Sequence, residues 1–180
     1  SFREKAEKLY KLIAKTFIKL PIVFLVQIHS KNNQIARVLT VHGGIPINLM
    51  NPDEPVLINT LENKIDSEYI KTDDLDELTI SILWSDPDQM IEDILTGAHL
   101  RGRTKFGYNI LDQFMSANDL DLIIRGHQKW KKGYHIFFGK IYSLFSTATY
   151  DGVKRFEPKM LCLEYGEEPK IISITHESLN

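Results

Sequence analysis

Two apolar runs in this chain end in the same way, and that shared ending constrains the fold more than any other feature. Ala36-Arg37-Val38-Leu39-Thr40-Val41 leads into His42-Gly43-Gly44, and Leu120-Asp121-Leu122-Ile123-Ile124 leads into Arg125-Gly126-His127. Short runs of Val, Ile and Leu bounded by glycine read as buried strands. A glycine beside the histidine lets the backbone turn sharply and leaves the imidazole at the rim of a sheet. A single histidine beside a glycine is ordinarily a turn or capping residue. The repeated strand-end context is what points to one site, suited to a metal, at one sheet edge.

Composition bounds the rest. With 180 residues, 43% of them apolar, the chain can bury a core as one domain. No stretch approaches the roughly 20 apolar residues of a membrane span, and the charged N-terminus lacks the pattern of a signal peptide. The one cysteine, Cys162, excludes an internal disulfide and suits a reducing, cytoplasmic setting. Charges of 22 basic and 24 acidic residues nearly cancel, which argues against a general nucleic-acid binder.

Along the chain, Ser1 to Leu20 reads as an amphipathic helix, with Phe2, Ala6, Leu9, Ile13, Phe17 and Leu20 on one face and Pro21 as its stop. Its lysines suit an anionic membrane surface, but the expected role is a surface helix whose apolar face docks on the following sheet. Residues 22–28 and 36–41 read as strands joined by a polar turn at 30–34. An acidic, irregular connection follows to about Asp76, with Asp74 as the cap of a short helix that turns Leu75, Leu78 and Ile82 inward. Proline at 87 ends that helix near Trp84. From Ile94 to Tyr108 a glycine-bearing loop is expected. Its Arg101, Arg103 and Lys105 suit a phosphate, since a guanidinium donates two parallel hydrogen bonds. Tyr108 to Ala117 reads as a helix with Ile110, Leu111, Phe114 and Met115 inward. A hairpin at 134–146 and two closing strands at 160–165 and 170–174 complete the expected sheet.

Taken in order, these landmarks resemble the C-terminal half of the phosphoprotein phosphatase family of protein serine/threonine phosphatases, within the calcineurin-like metallophosphoesterases. They are His42-Gly43-Gly44, Leu83-Trp84-Ser85-Asp86-Pro87, Arg101-Gly102 with Phe106-Gly107, Asp121 through Gln128, Gly133-Tyr134, and Leu144-Phe145-Ser146 through Tyr150. The likeness covers nearly the whole chain. It implies an α/β (α+β) fold, a part of a two-sheet β-sandwich flanked by helices, with residues 1–180 the C-terminal portion of one catalytic domain and no second domain.

The resemblance also implies chemistry. His42 and His127 match the two histidine ligands of one metal in a two-ion site of manganese, iron or zinc. Arg101 matches the arginine that holds the substrate phosphate, Tyr150 the aromatic bordering the catalytic pocket, and Arg125 a residue in a supporting role. The implied reaction is hydrolysis of phosphoserine and phosphothreonine in proteins, by in-line attack of a metal-bridging hydroxide, with phosphoprotein substrates and regulatory proteins as partners. The elements GDxHG, GDxxDRG and GNHE, which bring the family's remaining ligands and its general acid, do not occur here. The chain is therefore expected to be half of a site and inactive alone. Its arginine loop is one residue shorter than the family's common form, and Asp151 stands where many relatives have cysteine. Two other functions remain open from sequence: a related phosphoesterase acting on nucleotides or small phosphoesters, and a non-catalytic module that keeps the fold to bind partners.

Overall fold

The computed structural model describes residues 2–17, 20–32, 34–61, 76–97, 104–150 and 152–175. In chain order the elements are α1 (Phe2–Phe17), β1 (Val23–His29), β2 (Ile35–Val41), a 3-10 turn (Ile58–Thr60), α2 (Glu77–Trp84), β3 (Asp86–Pro87), β4 (Ile94–Leu95), β5 (Lys105–Phe106), α3 (Tyr108–Ala117), β6 (Leu122–Arg125), β7 (Tyr134–Phe137), β8 (Ile141–Leu144), β9 (Thr149–Tyr150), β10 (Val153–Lys154), β11 (Lys159–Cys162) and β12 (Lys170–Ser173).

The two histidine-ended runs lie side by side. β2 and β6 pair in parallel from Val38↔Leu122 to Val41↔Arg125, inside a five-stranded sheet ordered β1-β2-β6-β8-β7. Asp121 sets this register from the far end: its N–H donates to the Arg37 carbonyl (2.9 Å) and its carboxylate accepts the Arg37 N–H (2.8 Å). Side chains alternate across the sheet with the period of two that a strand dictates. Leu39, Ile123 and Ile141 face a core built with Ile110, Leu111, Phe114 and Met115 of α3. Their neighbours Val38, Leu122 and Tyr142 face the other way, against Leu161, Leu163 and Ile171. Cover on both faces explains why these strands read as continuous apolar runs.

The helix at 108–117 and the hairpin of β7 and β8 match the sequence pattern. In the hairpin, Lys140 N–H donates to the Phe137 carbonyl (3.0 Å), with Phe138 and Gly139 at φ +54° and +68°. Positive φ at both central residues is the turn whose twist matches the flanking strands.

Four expectations need correction. Among the described residues the apolar face of α1 does not dock on the sheet: Ala6, Leu9, Ile13 and Leu20 are all exposed, and the side chains of Phe2 and Phe17 lie outside the described residues. Asp76 caps α2 by accepting the Thr79 N–H (2.7 Å), whereas Asp74 and Leu75 lie outside the described residues. The span expected as a loop contributes strands to a miniature sheet, β3-β5-β4, which two-residue segments are too short to announce as a period. The closing strands do not join the main sheet. β11 and β12 pair with each other from Lys159↔Ser173 to Cys162↔Lys170 and form a second layer over its Val38 face.

Candidate metal centre at the strand ends

In-register parallel pairing delivers both imidazoles to one sheet edge, because His42 follows β2 directly and His127 lies two residues beyond β6. His42 Nε2 and His127 Nδ1 stand 3.3 Å apart, with the rings meeting edge-on at a centroid distance of 5.1 Å. Two nitrogens bound to one ion at about 2.1 Å, about 100° apart, are separated by about 3.2 Å. The pair therefore fits two ligands of one ion; the same spacing also suits one ring N–H donating to the other ring. Among the described residues no cluster of three or more His, Cys, Asp or Glu side chains is placed to hold a metal. A structural or catalytic ion needs ligands beyond these two.

Metal binding requires neutral imidazole, and the surroundings of His42 favour it. The ring is exposed by area, yet the protein on one side removes enough hydration to lower its pKa below the ordinary histidine value, and the positive charge of Arg125 lowers it further. His127 takes φ +65°, an uncommon conformation for a side chain other than glycine. The Gly126 N–H holds this turn to β2 by donating to the His42 carbonyl (3.1 Å).

Arg125 ties the segments together. It is 2% exposed, and its three donors reach three different segments. Nε donates to the Gly43 carbonyl, beside His42. Nη1 donates to Gln128 Oε1 (2.6 Å), beside His127, and Nη2 donates to Asp86 Oδ1 (2.8 Å), just past α2. Burial pulls the guanidinium below its usual pKa, while Asp86 opposes the shift by charge and hydrogen bond. A buried cation so fully partnered is costly to desolvate but rigid once formed.

The C-terminal end of α2 is the third wall. Its Ile82 carbonyl accepts from both the Gly43 and Gly44 N–H groups (2.9 and 3.0 Å), which satisfies a helix-end acceptor and seats the glycine turn. A Cβ on Gly43 would fall 2.7 Å from the Trp84 nitrogen and closer still to the Leu83 carbonyl, so the approach needs glycine. Trp84 in turn meets the His127 ring edge-on at 5.4 Å. On the other side, the Ser143 hydroxyl donates to the Gly126 carbonyl (3.3 Å) and accepts from Trp130 Nε1 (2.9 Å).

Of the residues singled out in the sequence, the structure brings together His42, His127 and Arg125. Tyr150 is exposed on β9 and is linked to the same side by Lys129, whose ammonium lies 4.2 Å from its ring centroid. Arg101 lies outside the described residues. The carbonyl of Thr104, the next described residue, accepts the Asp86 N–H (3.0 Å) and so lies beside the arginine-paired segment. Sequence reasoning did not single out Asp86, Gln128, Trp84 or Ser143 as parts of the site. Asp86 carried the one available signal, an acid within the mostly apolar stretch 80–87.

The chain has recognisable relatives among known proteins. Residues 2–130 match the calcineurin-like phosphoesterase family. The chain is 30% identical over 151 residues to a "Probable serine/threonine-protein phosphatase" of Encephalitozoon cuniculi (strain GB-M1), across 83% of this chain and 29% of that protein. It is 28% identical over 152 residues to the serine/threonine-protein phosphatase PP1-delta of Caenorhabditis elegans, across 83% of this chain and 44% of that protein. A solved protein serine/threonine phosphatase from Saccharomyces cerevisiae, described as similar to human phosphatase PP5, superposes with a TM-score of 0.68 at 22% identity, covering 94% of this chain and 52% of that one. That likeness shows the fold. The chain spans about half the length, or less, of these relatives.

Proposed function

The chain belongs to the calcineurin-like phosphoesterase family, whose members are metal-dependent, and from that premise we propose that it forms the C-terminal portion of the catalytic domain of a protein serine/threonine phosphatase. The observation that carries the reading is the 3.3 Å approach of His42 Nε2 to His127 Nδ1 at paired strand ends. In this reading both imidazoles are ligands of one ion in a two-ion site, and the remaining ligands come from chain not present here. When bound, ions of manganese, iron or zinc supply Lewis acidity toward the phosphoryl oxygens and an acidified water as nucleophile.

The chain's own residues hold and shape. His42 offers a neutral nitrogen because its pKa is depressed, and Arg125 keeps the two histidine segments at fixed separation through Gly43, Gln128 and Asp86. Arg101 is assigned to the substrate phosphate, where a planar guanidinium binds two oxygens at once and stabilises charge that builds on them. Tyr150 is assigned to the pocket border. Because these relatives are named serine/threonine-protein phosphatases, the reading assigns phosphoserine and phosphothreonine proteins, rather than nucleotides, as substrates. A cytoplasmic setting belongs to the same reading and rests on the single cysteine.

The test is made on the full-length protein. His127→Ala is expected to lower both bound metal, read by elemental analysis, and phosphopeptide turnover, by at least the roughly 10- to 100-fold that loss of a group supporting a ligand costs. Unchanged metal content would remove His127 from the ligand set, and absence of phosphopeptide turnover by the metal-loaded wild type would end the phosphatase reading.

A further inference from the structure

We propose that Trp130 is a positioning residue for the strand-end centre: through the Ser143 hydroxyl its indole N–H orients the Gly126 carbonyl, and that carbonyl shapes the turn that presents His127 to His42. The inference rests on the metal-binding reading above. The turn is an unusual one. Across His127, which stands at φ +65°, the Gln128 N–H donates to the Gly126 carbonyl (2.8 Å). A three-residue turn of this hand is rare, and a side chain other than glycine persists at positive φ only where its surroundings over-determine the backbone. The φ of His127 is the rotation between the planar Gly126–His127 peptide unit and the His127 Cα substituents. A group that orients the Gly126 carbonyl therefore helps to set the direction in which the imidazole leaves the chain.

Ser143 supplies that group from the neighbouring strand. It is 0% exposed and pairs in register with Arg125 on one side and His135 on the other. A serine hydroxyl carries one proton, and an indole nitrogen can only donate. Because Trp130 Nε1 donates to the serine oxygen (2.9 Å), the hydroxyl proton is left for the Gly126 carbonyl (3.3 Å). The second bond is longer than the usual O–H···O range, so its effect is to orient rather than to bind tightly.

Packing fixes the indole that starts this relay. Its face stacks on the His135 ring, with 4.5 Å between centroids and 20° between planes, and the Phe137 ring meets it edge-on at 5.8 Å. The indole also packs against the main core beneath α3. The segment that leaves β6 at Gly126 thus returns to the same serine at Trp130, and His127 lies between the two attachments. Trp130 sits outside every helix and strand, yet it couples the packing of the β7–β8 hairpin to the histidine turn. If the imidazole points correctly for only part of the time, apparent metal affinity falls by that fraction.

The full-length protein, stripped of metal, is titrated with manganese(II) by calorimetry, and cobalt(II) loading gives a visible spectrum that reports ligand geometry. Trp130→Phe keeps a ring for the stack and deletes the N–H, and Ser143→Ala deletes the hydroxyl. Each is expected to weaken manganese binding about three- to tenfold, the scale of one hydrogen bond, and to change the cobalt spectrum. The double substitution should weaken binding by about the larger single effect, because both changes interrupt one relay. Phe114→Leu is the control for a purely structural role. It loosens the same core from α3, so it should lower the metal-free melting temperature and leave manganese affinity and the cobalt spectrum unchanged. Unchanged affinity in either single variant, or fully additive losses in the double, overturns the relay and leaves the metal reading standing. A weakening that Phe114→Leu reproduces at equal loss of melting temperature does the same. Wild type that binds no manganese overturns both.

Discussion

At the histidine end of β2 and β6, a guanidinium with 2% exposure donates to three acceptors of the protein itself, whereas along β1 the side chains of Phe24, Leu25 and Val26 are 53%, 38% and 43% exposed. Both regions flank the same strand. β1 is held to β2 by a seven-pair antiparallel ladder, so its stability resides in the backbone. The histidine end adds to its backbone bonds three side-chain bonds that all come from one guanidinium, from Arg125 to Gly43, Gln128 and Asp86. The contrast predicts that substitutions of equal chemical size have very unequal effects on the two sides of β2.

The largest effect should come from Arg125→Met. It strands Asp86, itself buried, without its cation, and breaking one partner of a buried pair costs about 3–5 kcal/mol. Urea unfolding measures it, and the double substitution with Asp86→Leu should recover much of the loss. A cost below about 1 kcal/mol would erase the contrast with β1.

Next in size is Gly43→Ala, which drives a Cβ into the backbone of Leu83 and Trp84 and should cost about 1–3 kcal/mol by overpacking. Gly126→Ala is its control, since a Cβ there meets only the His42 carbonyl at 3.9 Å. Equal melting temperatures for the two variants would show that the glycine turn has room to shift, and the histidine end would then be less rigid than described.

A pH dependence follows from His42. Its folded pKa is depressed, so as pH falls through the ordinary histidine value of about 6.5 the unfolded chain takes up a proton that the folded chain resists. Stability of the metal-free protein should therefore decline below that pH and level off below the folded pKa. His42→Gln should remove this component from the difference between wild-type and variant profiles. If the two profiles run parallel from pH 8 to pH 5, His42 is as well hydrated as any surface histidine. Smaller still, and away from the centre, Asp76→Ala removes the cap of α2 and should cost about 1 kcal/mol in a thermal melt. A loss no greater than the noise of that melt would mean the Ile82 carbonyl, not the cap, holds the helix.

How much of this was legible beforehand differs by level. Strands with buried faces announce themselves through apolar runs, and β2, β6, β7, β8 and α3 all follow their patterns. β3, β4, β5, β9 and β10 are pairs of residues, below the length at which any period can be seen. β3, β4 and β5 depend on partners distant in sequence, such as Asp86↔Lys105, whereas β9 and β10 pair locally with each other. The site was partly legible for the same reason. The repeated His-Gly context marked which residues reach the sheet edge, but the proximity of His42 to His127 is set by register, through Asp121 and Arg37 at the opposite end of the strands. Nothing local to Asp86 or Gln128 reveals that each shares one guanidinium. The exposed apolar face of α1 departs from the expected docking because amphipathicity states that a face exists, not what covers it.

The smallest predicted effect tests the other side of the comparison. Phe24 pairs with Thr40 through the backbone, and the Thr40 hydroxyl donates to the Phe24 carbonyl (3.3 Å), so this link uses main-chain atoms that any residue at position 24 would supply. Its ring is more than half exposed and so contributes only part of the roughly 1.5–3 kcal/mol that a fully buried aromatic or aliphatic side chain provides. Phe24→Thr keeps β propensity and a backbone donor and acceptor, so its expected cost in urea unfolding is within about 0.5 kcal/mol, the range of ordinary surface substitutions. A cost of about 2 kcal/mol or more would mean that Phe24 is covered in solution. The side-chain face of β1 would then be held as firmly as the histidine end, and the division of labour between ladder and side chains would fail at the strand where it is drawn most sharply.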